Sequence, residues 1–454
     1  MINPKKMNEH TYDAVVVGSG TSAYFVVDGL NNAGKRVAIV DERPYGGTCA
    51  LRGCQPKKYL VCNAEAVATA QHLVGRGIVT APQTDWRALQ ALKNEFLDGR
   101  SEGEVQEWQA AGVATYHGRA TMTGKNEVTV GENILKADHI VLATGATPRR
   151  ADIPGAEFVH DSEHFLNLPE LPDRIVFIGG GYISFEFAHV AIRAGAKQVT
   201  ILHRSAQVLK AFDSDIVEVV VEAGEAEGIH TVINETPASV SKDENGLTIE
   251  TASGSRYEAD LVIEATGRVP NLSVLAGDHG AVEHSSRGVK VNPFLQSVSN
   301  PNVYAVGDCA ATDYMLATVA DEEGKTAARN ILEGNARTVD YSVTPSAVFT
   351  IPSIGSVGLT EAQAKGMGLD FRVNRGHTTG WPSAKRIGEK HGAYKILIDN
   401  QTNQIIGAHL ARHNAAEAIN TLALAMKHQI KAVDLADFMW AYPTITSDLK
   451  YMVK

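Results

Sequence analysis

Two stretches of the chain share one pattern of apolar and polar positions. Residues 12–17 read YDAVVV, a short apolar run ending at a glycine cluster, and residues 36–40 read RVAIV and end at Asp41. Short uninterrupted apolar runs of this kind predict parallel strands buried on both faces. A helical stretch lies between them, and Gly34 punctuates its end. The same succession returns in DRIVFIGGGYISFEFAHVAIRAGAKQVTILHRS. Two strand–helix–strand units predict an α/β fold. They are the only internal repetition in the chain, and no low-complexity segment separates them.

The turns inside these units carry chemistry. Gly18, Gly20 and Ala23 are spaced G-x-G-x-x-A directly after the first strand. The first glycine permits the tight turn, the second lets a pyrophosphate approach the backbone, and Ala23 keeps helix and strand close. The helix N-terminus then holds phosphate through its unsatisfied N–H groups and its dipole. Asp41, at the end of the second strand, accepts hydrogen bonds from a ribose. In the second unit Gly179 and Gly181 take the first two places and Ser184 the third. Its second strand leads to His203 and Arg204 in place of an acid, with Lys210 six residues on. An acid there would repel a 2′-phosphate, whereas these cations favour one, so NADPH is expected over NADH, with NADH still possible.

Composition narrows the class. A length of 454 residues suggests roughly two to four domains. The 44% hydrophobic and 21% charged fractions are those of an ordinary soluble protein. A net charge of −10 argues against nucleic-acid or anionic-membrane binding. There is no run of 18 or more apolar residues, so no membrane span is expected. The leader MINPKKMNEH lacks the apolar core of a secretory signal, and four cysteines are too few for a disulfide scaffold. A cytoplasmic protein is the expectation.

Two of those four cysteines lie in residues 46–58, GGTCALRGCQPKK. A structural zinc site wants four ligands, but Cys62 and Cys309 are poorly spaced to complete one, so no metal site is expected. A static disulfide across so short a loop would restrain the unfolded chain only modestly. A redox pair fits better, because a glycine-rich helix entry stabilises a thiolate. Cys62 and Cys309 read as packing residues.

Together these motifs resemble the pyridine nucleotide–disulfide oxidoreductases, the flavoproteins that include glutathione reductase, dihydrolipoamide dehydrogenase and mercuric reductase. IVLATGATPRRADIPG, EATGRVPN, NVYAVGDCA and AVFTIPSIGSVGLTEAQA extend the resemblance over nearly the whole chain. It implies two Rossmann-like dinucleotide-binding domains plus a C-terminal α+β dimerisation domain. FAD would be held by residues 1–150 and 272–340, NAD(P)H by 151–271, and 341–454 would form a homodimer interface. The FAD contacts implied are Gly18, Gly20, Ala23, Asp41, Gly47, Thr48, Lys57, Gly145 and Asp308. The NADPH contacts implied are Gly179, Gly181, Glu186, Arg204, Lys210 and Gly267. Cys49 and Cys54 would form the redox disulfide, with Cys54 nearer the flavin and Cys49 meeting the acceptor. Lys57 and Glu186 would form a buried charge pair beside the flavin.

The resemblance fails at one place. Such reductases end in a His-Pro-Thr-x-Ser-Glu segment whose histidine serves the interchange thiol across the dimer. Here the segment reads AYPTITSDLK: Tyr442 stands at the histidine position and Ser447 at the glutamate, with Asp448 one place later. His413 and His428 read as surface or packing residues. Imidazole exchanges protons near neutral pH, and a phenol of pKa about 10 does so poorly. Mercuric reductases also carry a tyrosine here but use a C-terminal cysteine pair, and this chain ends YMVK. The leading expectation is therefore an FAD-dependent NAD(P)H oxidoreductase with catalytic Cys49, Cys54, Lys57, Glu186 and Tyr442 and an atypical small-molecule acceptor. That acceptor would be a small disulfide or persulfide, a metal ion or a quinone. A glutathione-type reductase, with Tyr442 or a water replacing the histidine, is the first alternative. A low-turnover flavin- and nucleotide-binding redox sensor is the second.

Overall fold

The computed structural model describes residues 7–277 and 279–454. The chain divides into two compact units: residues up to 58 with 92–148 and 268–341, and residues 59–91 with 149–267 and 342–454.

In the first unit, a seven-stranded sheet among the described residues is built around the Asn8–Val17 and Asn133–Leu142 strands. Asn8–Val17 pairs in parallel with Val37–Asp41 on one side and with Asn133–Leu142 on the other. The short Val303–Ala305 strand also adds in parallel, opposite Ile140 to Leu142. Alternation along the first strand explains why this sheet is buried on both faces. Val15 and Val17 enter one core with Val128 and Leu135, whereas Ala14 and Val16 enter another with Val26, Leu30 and Ile39. Each fully buried Val or Leu contributes about 1.5–3 kcal/mol. The helices Thr21–Asn32 and Ala317–Glu333 pack closely because small residues meet: a Cβ at Gly324 would lie 2.4 Å from the Ser22 carbonyl oxygen. The mixed α/β architecture expected from the sequence is present.

The second unit holds a five-stranded parallel sheet in the order Ile229–Val232, Gln198–Leu202, Arg174–Ile178, Leu261–Glu264 and Val159–His160. A separate antiparallel sheet orders Ser346–Val348, Ser353–Gly358, Ile405–Arg412, Ala393–Asp399 and Phe371–His377. The helix Ala415–Lys427 lies against it, so close that a Cβ at Gly355 would stand 2.5 Å from the Ala415 carbonyl oxygen. An ion cluster centred on buried Lys395 and Asp213 ties this sheet to the helix Ser214–Ala226, beside the parallel sheet. Lys395 Nζ lies 2.7 Å from Asp213 and from Asp215, and 2.9 Å from Glu361.

Candidate active site

The first glycine turn is fixed by backbone geometry. Gly18 adopts φ +108°, and a Cβ there would fall 2.1 Å from the Ala143 carbonyl oxygen. Gly47, at φ +68°, touches Gly20, where an added Cβ would sit 2.4 Å from the Gly20 Cα. Only glycine fits such approaches without moving the backbone. The turn floors an open cleft of about 700 Å³ lined by Gly18, Gly20, Asp41, Gly47, Thr48 and Gly145. Its floor is bare: a Cβ at Gly145 would meet nothing within 4 Å. Such a cradle, with an acid at the second strand's end, fits a dinucleotide. Ala23 is fully buried under the turn.

Ser19 was not singled out from sequence, yet it orients the acid. Its backbone N–H and its hydroxyl donate to one Asp41 oxygen at 2.9 and 2.6 Å. The backbone N–H of Arg43 donates to the other at 2.8 Å. Asp308 sits in a single turn, Gly307–Cys309, where burial raises the pKa of its carboxyl group and Arg268 opposes the shift. Glu323, also missed from sequence, clamps that turn by accepting from the Gly307 N–H at 2.6 Å and the Tyr341 hydroxyl at 2.8 Å. The only sequence signal for either was a polar residue inside an apolar or glycine-rich context.

The two cysteines occupy adjoining helices. Cys49 lies within Gly47–Arg52 and Cys54 is the first residue of Cys54–His72. Gly53 joins them, and a Cβ there would lie 3.0 Å from the Thr48 carbonyl oxygen. The close approach brings the sulfurs together as two thiols with no disulfide bond between them. Their hydrogen bond, followed by burial and the charges of Cys54 and Asp321, raises the pKa of the Cys49 thiol, while Lys57 acts in the opposite direction. Cys54 meets the positive end of a 19-residue helix, which favours negative charge there. Cys309 is buried as expected and donates to the Leu142 carbonyl oxygen at 3.2 Å. Cys62 corrects the expectation of a packing residue: it lies on the outward face of its helix and is exposed.

In the second unit Gly179, at φ +114°, would place a Cβ 2.5 Å from the Ala265 carbonyl oxygen. Helix Tyr182–Ala194 starts directly after Gly181, with Ser184 fully buried. His203, noted in the sequence only for not being an acid, has a defined structural task. Its Nδ1 accepts from the Gly180 N–H at 3.0 Å, and its Nε2 lies 2.9 Å from the Gln207 carbonyl oxygen. Arg204 and Lys210 are exposed on the same loop, and Gly267 takes φ +125° after the neighbouring strand. Glu186 is buried and accepts from the Phe349 N–H at 2.9 Å. It belongs to the second unit and Lys57 to the first.

At the C-terminal segment, Tyr442 is 71% exposed and Lys450 Nζ lies 5.7 Å from its ring centroid. Ser447 donates to the Thr444 carbonyl oxygen at 2.6 Å. Asp448 is engaged elsewhere, accepting from Arg412 Nη2 at 2.8 Å and from the Ser383 hydroxyl at 2.5 Å. His428 is exposed, as expected, whereas His413 is half-buried in the wall of a cavity. Among the described residues no helix is long and apolar enough to cross a membrane.

Two dinucleotide cradles with a dithiol at the entry of a helix define a two-nucleotide redox protein. The chain belongs to the pyridine nucleotide-disulphide oxidoreductase family, whose model matches residues 12–324, with the family's dimerisation domain over residues 344–453. It is 32% identical to a glutathione reductase of Burkholderia cepacia over 97% of this chain and 98% of that protein. It is 31% identical to a dihydrolipoyl dehydrogenase of Chlamydia muridarum (97% and 95% covered) and to a mercuric reductase of Staphylococcus aureus (97% and 81%). The Cu(II) complex of the HOCl-induced flavoprotein disulfide reductase RclA from Escherichia coli matches with a TM-score of 0.89 at 26% identity, covering 98% of this chain and 99% of that one. The protein is an NAD(P)H-dependent flavoprotein disulfide oxidoreductase acting on sulfur groups, and members of its family bind FAD and NAD(P)H.

Proposed function

We propose that Cys49 and Cys54 pass electrons from NADPH to a small acceptor whose reduction needs no imidazole. The observation that carries this reading is the pairing of a hydrogen-bonded dithiol with a C-terminal segment that offers Tyr442 and a fully engaged Asp448. The Gly18–Gly47–Asp41 cradle would hold FAD, and bound FAD supplies two-electron exchange between NAD(P)H and the cysteine pair. Arg204 and Lys210 would hold the 2′-phosphate of NADPH. Lys57 and Glu186 would keep opposite charge beside the reacting groups. Exposed Phe438, Met439 and Tyr442 support a homodimer built on the C-terminal region.

The chain's own chemistry is thiol–disulfide exchange. The Cys49 thiolate attacks one sulfur of a small disulfide and the departing thiolate takes a proton. Cys54 then attacks the Cys49 sulfur of this mixed disulfide and expels the second substrate thiolate, which takes a proton as the Cys49–Cys54 bond forms. With copper(II) as acceptor, the two thiols give up two electrons and two protons, and two ions become copper(I). The copper complex of the structural relative favours a metal acceptor. The identity to a glutathione reductase favours the second reading, a glutathione-type enzyme in which Tyr442 or water replaces the histidine.

Steady-state NADPH oxidation with copper(II), small aromatic disulfides, quinones and glutathione disulfide separates these readings. The proposal expects turnover with copper or activated disulfides, lost in Cys49→Ser, and glutathione disulfide turnover about 100-fold or more below it. Rapid glutathione disulfide reduction would establish the second reading. Quinone turnover surviving Cys49→Ser would place the outlet outside the cysteine pair.

A further inference from the structure

We propose that the second unit carries a binding site for a small oxyanion, separate from both nucleotide cradles. A cleft of about 730 Å³ opens between the end of the Cys54–His72 helix, the ends of two helices of the nucleotide-type region, and segments 350–353, 387–391 and 413–414. Its wall gathers Arg193, Lys390, His72, His391 and His413. Two polar groups there are built in and unmatched. The Arg193 side chain is 3% exposed and meets Glu227 through Nη1 at 2.9 Å, while its buried Nε–H has no hydrogen-bond partner among the described residues. Glu389 is 8% exposed: one carboxyl oxygen accepts from the His413 N–H, and the other is buried without a partner among the described residues. Burial raises the pKa of that carboxyl, so its acid form gains a donor O–H.

The unmatched donors around the cleft point to an anion. Glu227 answers the charge of Arg193, and Lys390 and three imidazoles face Glu65 and Glu389, the latter shifted by burial toward its neutral acid form. His72 is depressed first by burial and then by Arg193, with Lys390 and His391 adding and Glu227 opposing. His413 is depressed by burial, opposed by Glu65, with Arg412 adding. An oxyanion would accept from Arg193 Nε and Lys390 and would restore the basicity of both rings, so binding takes up protons. Arg193 lies in the last turn of the Tyr182–Ala194 helix, which begins at the second glycine turn. The helix separates the two places by about 18 Å. The catalytic reading gives these residues no task.

Inorganic sulfate is the probe, because its charge does not change between pH 6 and pH 8. Calorimetric titration uses the holoenzyme carrying Arg204→Ala, which removes the competing 2′-phosphate subsite. The proposal expects saturable binding, tighter at pH 6 than at pH 8, and about tenfold weaker once Lys390→Ala is added. Lys390 is exposed, and Lys390→Ala made alone, with Arg204 intact, should retain NADPH oxidation, which reports that the substitution folds. Absence of saturable binding, or binding indifferent to Lys390→Ala, overturns the proposal.

Discussion

The Nδ1 atom of His203 accepts a hydrogen bond from the backbone N–H of Gly180 at 3.0 Å, tying the second glycine turn to the loop that carries Arg204 and Lys210. Only a neutral ring can do this, and burial lowers its pKa below the ordinary histidine value. The unfolded chain takes up a proton at His203 at a higher pH than the folded one. The contribution is complete above about pH 6.5 and is lost as pH falls from there toward the lower folded value. His203→Ala should raise the KM for NADPH roughly fivefold, equivalent to about 1 kcal/mol, with little change in kcat. Steady-state kinetics from pH 5.5 to 8 check both effects: the wild-type KM should climb toward acid, and the variant's should not.

Arg204 is expected to set the nucleotide preference. Arg204→Glu should raise the NADPH KM by about tenfold or more and leave the NADH value nearly unchanged. An unaltered ratio of the two would make the loop a solvated turn and nothing more.

Lys395 holds three carboxylates together, and its side chain and that of Asp213 are each 3% exposed. Lys395→Met should cost about 3–5 kcal/mol, because it strands buried negative charge. Denaturant unfolding at pH 7 measures the loss. Hydrogen bonds from Lys365 and Lys395 hold Glu361 down to about 2. Its folded value lies below its unfolded one, so its contribution is full above about pH 4.5 and is lost as pH falls toward 2.

Tyr442 is exposed and pairs with no imidazole or carboxylate dyad among the described residues. Tyr442→Phe should therefore change kcat/KM for copper(II) by less than about twofold. A loss of about 100-fold would make the phenol an acid–base group.

Legibility in the sequence followed the tightness of the geometric demand. Gly18 and Gly179 were readable because a carbonyl oxygen occupies the place of any Cβ, which leaves one permissible residue. Asp41 was readable because it ends a strand directly after an apolar run, and Arg204 because it lies two residues beyond the end of another. Ser19, the ring of His203 and Glu323 escaped notice because each bonds a group distant in sequence: the Asp41 carboxylate, the Gly180 N–H and the Gly307 N–H. Cys62 misled because an apolar-tolerant residue eight positions along a helix from Cys54 was assumed to face inward, and it faces out. The oxyanion cleft was invisible in sequence: His72, Arg193, Glu389 and His413 come from four separate segments joined only by tertiary packing.

The central claim is that the cysteine pair stores electrons on the way to the acceptor, and anaerobic titration of the FAD-loaded enzyme with NADPH tests it directly. A flavin and a disulfide each take two electrons, so the wild type should consume about two equivalents of NADPH per chain and Cys49→Ser about one. Equal consumption by the two proteins would contradict the account.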